Sequence, residues 1–385
     1  MDPMHEFTIF GQSTDMVCDP IIGGIAMETT FSRPQIVFLL LLSLGISNHV
    51  FIIPHLIQAA GRDAWISVLF GYAVLIGWSL ILFLVLKSMR ASSFNDWLDM
   101  RIGKPWRWLV CGALVLYILI LGILIVFDTT RNINIYLLPR TSNVVVVLCF
   151  VLISFGAART GLKTIVHMST VLLPIVWLLG IGVSTFTMSS KDYGILHPFF
   201  AEGIGPDVHG GVVVVGGSIE LLVLLLLQPK MSKPMNYGTI FILLTLLVGL
   251  IIGPTLGSLS AFGPSEAGNM RFPAFEQWRL LMLGDYISHL DFLAAFQLMA
   301  GSVTRTALLM YLLSELILGR FPKYRQIVIG CGTALVSVPS LLQLSDIAMQ
   351  AAIHHYFYMI SLLFGCGILA ALFAFSFFPV RKGGY

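Results

Sequence analysis

The feature that most constrains this chain is its series of apolar stretches, most of them long enough to cross a lipid bilayer. A bilayer core about 30 Å thick requires roughly 20 apolar residues in a helix. The sequence separates ten such stretches, with approximate bounds 35–56, 64–86, 108–127, 143–158, 162–186, 211–227, 238–259, 290–318, 327–342 and 353–378. The pattern predicts an all-α integral membrane protein with ten transmembrane helices, the fourth and ninth of them short.

Composition and charge support a membrane location. The chain is 57% hydrophobic and only 11% charged, whereas soluble domains carry about 25% charged residues. With the N-terminus inside, inner connections hold fifteen Lys and Arg residues against six in outer loops. This bias predicts that both termini are cytoplasmic, and the net charge of +3 then requires no nucleic-acid partner. Residues 1–30 lack a signal-peptide pattern and are expected to be a mobile extension of a single transmembrane domain, 31–385.

Ten spans divide naturally into two halves of five, about 35–186 and 211–378. An odd number of spans per half inverts the second half relative to the first, and such inverted repeats bind ligands where the first helix of each half is broken. Helices 1 and 6 are therefore expected to be discontinuous. Both contain candidate breaks near their midpoints. The expected fold is similar to that of amino acid transporters. The candidate residues are Gly45, Ser47, Asn48 and His49 in the first helix, and Gly216, Gly217 and Ser218 in the sixth.

Glu220 stands alone in an apolar run at the middle of the sixth span. A carboxylate at the centre of a membrane helix costs at least about 2.5 kcal/mol, so it usually has a task. It is a candidate to bind a cationic or amine-bearing ligand, or to carry a proton. The alternative is a tie between helices, in which a neighbouring charge or backbone amide pairs with it.

Arg305 is the other charge at mid-membrane depth, on a polar face of the eighth span beside Ser302. Pairing with Glu220 is the least costly way to bury both charges. Because an arginine keeps its proton, Arg305 is a candidate to replace a coupling cation or to hold a ligand carboxylate. A structural counter-ion for Glu220 is the competing interpretation.

The polar run in the first span supplies hydroxyl, amide and imidazole groups beside the expected break. An unwound turn there exposes backbone groups to a ligand, although Ser and Asn often only tie membrane helices together. Two connections, 94–102 and 272–283, have amphipathic patterns typical of interfacial helices, and the second is alternatively a lid. Asp128 is expected to be interfacial, and Gly253 with Pro254 to kink the seventh span.

Chemistry beyond binding has no support in the sequence. No spacing suits a zinc or haem site, so no metal or cofactor is expected. Phosphate-binding loops and nucleophile elbows are lacking. The chain is therefore not expected to be an enzyme.

Several segments resemble the spore germination permease family, the B-type membrane subunit of nutrient germinant receptors, within the amino acid–polyamine–organocation superfamily. They begin at Phe31-Ser-Arg-Pro-Gln-Ile-Val-Phe and continue with Val-Phe-Ile-Ile-Pro54, Ala-Gly61-Arg-Asp63-Ala-Trp65, His197-Pro198-Phe, Gly217-Ser-Ile-Glu220-Leu and Phe272-Pro-Ala-Phe-Glu276. The resemblance runs from about residue 31 to residue 318. The chain departs from the family pattern at Ser47, Asn48 and His49, where members usually have small, glycine-rich residues.

The resemblance implies a five-plus-five inverted repeat and a mid-membrane site for an amino acid, sugar or nucleoside at 45–49 and 216–220. It also implies a larger membrane subunit and a lipoprotein subunit as partners, in the inner membrane of the spore. On this interpretation the chain binds a nutrient and signals germination. Two alternatives are a proton-coupled secondary amino-acid transporter and a structural or channel subunit for ion release.

Overall fold

The computed structural model describes residues 30–90, 92–200, 203–281, 290–319 and 322–380. The expected mobile extension, residues 1–30, lies outside this range except for its last residue. Within the described residues the chain is helical, apart from connections and one isolated bridge between Phe31 and Met231. The all-α prediction is confirmed for this part of the chain.

The first half of the chain contains seven α-helices and a π-helical turn. In order these are α1 (Arg33–Ile46), the first π turn (Ser47–Phe51), α2 (Ile52–Ala60), α3 (Ala64–Met89), α4 (Phe94–Arg101), α5 (Lys104–Tyr136), α6 (Asn143–Arg159) and α7 (Leu162–Phe186). Side chains begin some of these helices. Ser32 and Gln35 form a capping box at the start of α1, and Pro34 occupies its first turn, where a missing N–H has no consequence.

Within the described residues the second half contains eight α-helices with four irregular helical turns. In order these are α8 (Ile204–Ser218), a 3₁₀ turn (Ile219–Val223), α9 (Leu224–Leu227), a second 3₁₀ turn (Gln228–Lys230), α10 (Tyr237–Asn269), α11 (Pro273–Arg279), α12 (Asp291–Leu318), a third 3₁₀ turn (Pro322–Tyr324), α13 (Arg325–Leu341), α14 (Asp346–Ala352), the second π turn (Ile353–Phe357) and α15 (Tyr358–Phe375).

Seven helical segments within the described residues are long and apolar enough to cross a membrane. The first, Arg33–Met89, is divided by a tight turn at Gly61, whose φ of 54° favours glycine. The helices α6 and α13 are apolar but shorter, which agrees with the short fourth and ninth spans. The chain is therefore a multi-pass helical protein of the membrane type.

Burial distinguishes central helices from peripheral ones. Of the 18 most apolar consecutive residues in Ile204–Lys230, 83% are buried. The corresponding share is 72% in α12 and only 28% in α7. The two central segments carry Glu220 and Arg305. The fold thus removes both charges from the lipid-facing surface and brings them into the bundle interior.

Both amphipathic connections form helices, and these helices pack against protein. The helix α4 buries Phe94, Trp97 and Leu98, and α11 buries Phe275 and Trp278. In α10 the residue with non-helical backbone angles is Gly263, with φ 77°, and the kink expected at Gly253 and Pro254 stays a prediction. Gly263 precedes Pro264, whose ring disfavours α-helical backbone in the residue before it.

Candidate functional site

Glu220 and Arg305 form a buried ion pair between the 3₁₀ turn after α8 and the middle of α12. The Nε of Arg305 donates to Oε1 of Glu220 at 2.9 Å, and Nη2 donates to Oε2. Only 1% of Glu220 and 4% of Arg305 is exposed. This two-bond geometry is the strong form of an arginine–carboxylate contact. Glu220 therefore has both oxygens engaged by Arg305.

The first span is irregular at its expected break and the sixth is irregular just after its expected break at 216–218, but neither span is unwound. The chain passes from α1 to α2 through the π turn Ser47–Phe51 and from α8 to α9 through the 3₁₀ turn Ile219–Val223. The backbone keeps helical angles at Ser47 and Ile52. The expectation of an unwound turn with freely exposed backbone groups is therefore wrong for this structure. A wide π turn and a tight 3₁₀ turn take its place, and π turns are frequent at functional sites.

A small cavity of about 30 Å³ lies beside the ion pair. Its lining includes Ser47, Gly217 and Arg305 from the predicted set, together with Asp128 and Tyr358. Both π turns reach it, through Ser47 and Phe51 on one side and Ile353 and Phe357 on the other. A cavity of this volume holds about two water molecules. In this structure the polar groups converge, but a nutrient does not fit without movement of the walls.

Asp128, which lines the small cavity, belongs to a second charged cluster, the Arg271 latch (Asp128, Arg271, Asp346 and Gln350). Arg271 Nη2 lies 2.5 Å from Asp128 Oδ1, and its Nε lies 3.2 Å from Asp346 Oδ2. Gln350 Nε2 donates to the same Asp128 oxygen at 3.3 Å. Burial alone lowers the pKa of Arg271, but the carboxylates of Asp128 and Asp346 raise it overall. The latch joins the segment before α11 to α5 and α14.

The segment before α11 also makes aromatic contacts at this end of the cavity. The guanidinium of Arg271 lies 4.2 Å from the ring centre of Phe272. The Phe272 ring in turn lies edge-on to Phe51, a cavity residue, at 6.3 Å. Movement of Arg271 is thus coupled through one aromatic pair to the first π turn.

Besides Glu220, four predicted residues line neither cavity and make contacts within or between helices. Asn48 Nδ2 donates to the Leu247 carbonyl at 3.3 Å, and Ser218 Oγ donates to the Val214 carbonyl at 2.8 Å. Ser302 accepts from Thr129 at 2.8 Å. A Cβ on Gly216 would lie 2.2 Å from the Tyr358 carbonyl oxygen. The contacts of Asn48 and Ser302 correspond to the competing interpretation of helix ties, whereas the bond of Ser218 lies within α8 and Gly216 allows close packing of α8 on α15.

The remaining predicted residues, Gly45 and His49, line a second and larger cavity of about 360 Å³. It lies between α1, α7 and α10, with α11 and α12 contributing at its ends. Ser47 and His49 are two residues apart, which corresponds to a rotation of about 200° around the helix axis. They therefore face different cavities. The polar run of the first span is thus divided between two sites.

Sequence reasoning missed Arg271, Tyr358 and the burial of Asp128. Asp128 was expected to be interfacial, yet it is only 5% exposed. Arg271 was counted among outer-loop charges, and Tyr358 in an apolar span carried no signal of its own. One signal was available, because Arg271 directly precedes Phe272-Pro-Ala-Phe-Glu276, a segment that resembles the family.

Comparisons with known proteins place these features in context. A family model described as spore germination protein matches residues 30–338. Spore germination protein XB of Bacillus anthracis is 33% identical over 327 residues, covering 85% of this chain and 92% of its own length. Spore germination protein KB of Bacillus subtilis (strain 168) is 24% identical, covering 66% of this chain and 69% of its own.

Among solved structures, a Na⁺-coupled sialic acid symporter in a substrate-bound, outward-open state has a similar fold. The TM-score is 0.65 at 11% sequence identity, covering 89% of this chain and 78% of the symporter. At that identity the likeness concerns the fold alone, which is transporter-like. From the family match and the relative at 33% identity, the chain belongs to the spore germination permease family.

Proposed function

We propose that this chain is the membrane subunit of a nutrient germinant receptor, in which the small cavity binds one small polar nutrient. The supporting observation is the buried Glu220–Arg305 pair beside a cavity where two π turns and the Arg271 latch meet. Amino acids, sugars and nucleosides are polar. They require hydrogen-bonding or charged partners in a dry site, and the small cavity offers Ser47, Asp128, Arg305 and Tyr358.

The mechanism follows from the size of the cavity and from its latch. A nutrient enters when Arg271 leaves Asp128 and the two π turns move apart, since the present volume is too small for it. Binding then stabilises the open arrangement by its differential affinity for that state. The change in pitch of the first helix and of the segment before α15 moves residues at the surface of the bundle. A partner subunit detects that movement.

The wider arrangement belongs to the same proposal. Ten crossings form two inverted repeats of five, with both termini cytoplasmic, in the inner membrane of the spore. The partners are a larger membrane subunit and a lipoprotein subunit. The basic residues on the inner connections and the transporter-like fold support this arrangement. The pairing of Glu220 with Arg305 leaves no carboxylate oxygen without a partner, which favours a sensor over a proton carrier.

The test is nutrient binding to the purified protein in lipid nanodiscs, against a panel of amino acids, sugars and nucleosides. Ser47→Leu fills the small cavity, and Gly253→Leu is the matched variant in the large one. We expect saturable binding of one nutrient that Ser47→Leu abolishes and Gly253→Leu retains.

Other outcomes reject parts of the proposal. Binding lost only in Gly253→Leu assigns the nutrient to the large cavity. A folded protein that binds nothing assigns sensing to a partner or a shared interface. Concentrative uptake of the bound nutrient into proteoliposomes replaces the receptor with a transporter.

A further inference from the structure

The large cavity has the size of a ligand site and no role in the proposed nutrient binding. Its volume of about 360 Å³ lies at the lower end of small-molecule pockets. Protein interiors rarely leave spaces much larger than a water molecule. None of the described residues that line it carries a charge. An ionic ligand therefore finds no counter-charge there, whereas an uncharged one avoids that cost.

Small residues open this cavity toward the lipid-facing surface. Thr245, Gly249 and Gly253 follow one face of α10 at intervals of four residues, and all three are exposed. Across the gap on α7, Ile181 lines the cavity and is 65% exposed. A Cβ on Gly249 or Gly253 would meet nothing within 4 Å. The space between α7 and α10 is thus an opening from the bilayer.

Uncharged polar side chains interrupt the apolar lining of this cavity. Among them are Ser184, with a hydroxyl group, and Gln297, with an amide group. The hydroxyl and the amide nitrogen donate hydrogen bonds, and both side-chain oxygens accept them. A hydroxyl or carbonyl group in the cavity finds partners among these side chains, and a pure hydrocarbon does not use them.

We propose that the large cavity binds an uncharged amphiphile, with one aliphatic or aromatic body and one hydrogen-bonding group, which enters from the bilayer between α7 and α10. The apolar walls hold the body, and Ser184 and Gln297 bind the polar group. Because His49 lies in the same π turn as Ser47, the occupant also contacts the helix that forms a wall of the small cavity. This ligand is distinct from the nutrient, so the inference stands whether or not the proposed receptor function is correct.

The experiment uses an octanol that carries an aliphatic diazirine, photolysed with the full-length protein in nanodiscs and mapped by mass spectrometry. We expect saturable labelling of residues 173–184 and 245–254, competed by unlabelled octanol. Gly253→Leu and Gly249→Leu each fill the opening without a clash and should reduce labelling at least about tenfold. Gly77→Leu is the control, since Gly77 is an exposed helical glycine with equally open space, outside the cavity.

A second comparison tests the binding of the polar group. Octanol should compete better than its methyl ether by roughly 2- to 10-fold, the range of a single hydrogen bond, and the difference should vanish when Ser184→Ala and Gln297→Leu are combined. Labelling that never saturates shows only lipid-like partition and overturns the site. Saturable labelling that persists at full strength in both glycine variants also overturns it. Equal competition by alcohol and ether in the wild type overturns the assignment of a polar group.

Discussion

The two cavities differ in almost every physical respect although they flank the same turn of the first helix. The small one is about 30 Å³, lies beside a buried ion pair and shares Asp128 with the Arg271 latch. The large one is about 360 Å³, contains no charged lining residue among those described and opens toward lipid. Ser47 faces the first and His49 the second. The larger volume and the charged groups thus belong to different cavities.

That difference teaches how the π turn contributes. A π turn departs from the regular pitch of an α-helix and is frequent at functional sites. The small cavity has such a turn on two sides, at Ser47–Phe51 and Ile353–Phe357. Of these two turns, the large cavity touches one, at His49. A ligand in the small cavity therefore contacts both π turns, and a ligand in the large one contacts a single π turn.

The largest expected effect is the loss of one partner of the ion pair. Arg305→Gln or Glu220→Gln should reduce the free energy of unfolding by about 3–5 kcal/mol, because the remaining charge is buried without compensation. The double variant Glu220→Gln/Arg305→Gln should recover most of this loss. Unfolding in detergent, followed by size-exclusion chromatography after heating, measures the effect. A double variant no more stable than either single variant would mean that the pair is not the dominant contact.

Much of this contrast is readable in the sequence, but its division between two cavities is not. The positions of Glu220 and Arg305 follow from charge in apolar spans, and the cost of burying both charges predicts their pairing. Helical rotation predicts that Ser47 and His49 point to different sides, but no residue pattern signals that the packing of distant helices leaves a cavity on each side. The helix-tying roles of Asn48 and Ser302 depend on partners far away in the sequence, Leu247 and Thr129.

The Arg271 latch escaped sequence reasoning for a related reason. Asp128 and Arg271 are 143 residues apart, and each has an ordinary explanation at a span end. Only the approach of the segment before α11 to α5 makes them a buried pair. Long-range contacts of this kind leave no periodic trace.

The next largest effect concerns the backbone beside the small cavity. Gly216→Ala should reduce the free energy of unfolding by up to about 3 kcal/mol, the upper end of overpacking costs, because its Cβ would lie 2.2 Å from a backbone oxygen of Tyr358. Thermal unfolding is the measurement. Unchanged stability would show that α8 and α15 separate at no cost and that their close packing is not a constraint.

Opening of the latch should have a smaller and more local effect. Asp128→Asn weakens one charge-assisted hydrogen bond, for which about 1.5 kcal/mol is expected, or roughly tenfold in an opening equilibrium. With native cysteines replaced by serine, Ser47→Cys should then react about tenfold faster with a water-soluble thiol reagent. His49→Cys, facing the other cavity, is the control and should not change. Equal acceleration of both cysteines would mean that the variant loosens the whole bundle.

The smallest expected effect is on the wall of the large cavity and has the opposite sign. Gly249→Ala places a Cβ in open space within a helix, so it should stabilise the protein by up to about 1 kcal/mol through helix propensity. The same substitution at Gly216 is destabilising, although both positions are glycines in apolar helices. Thermal unfolding of the two variants side by side makes the comparison. A loss of stability in Gly249→Ala would show that the opening between α7 and α10 is closed in the membrane, and the contrast between a tight charged cavity and an open apolar one would fail.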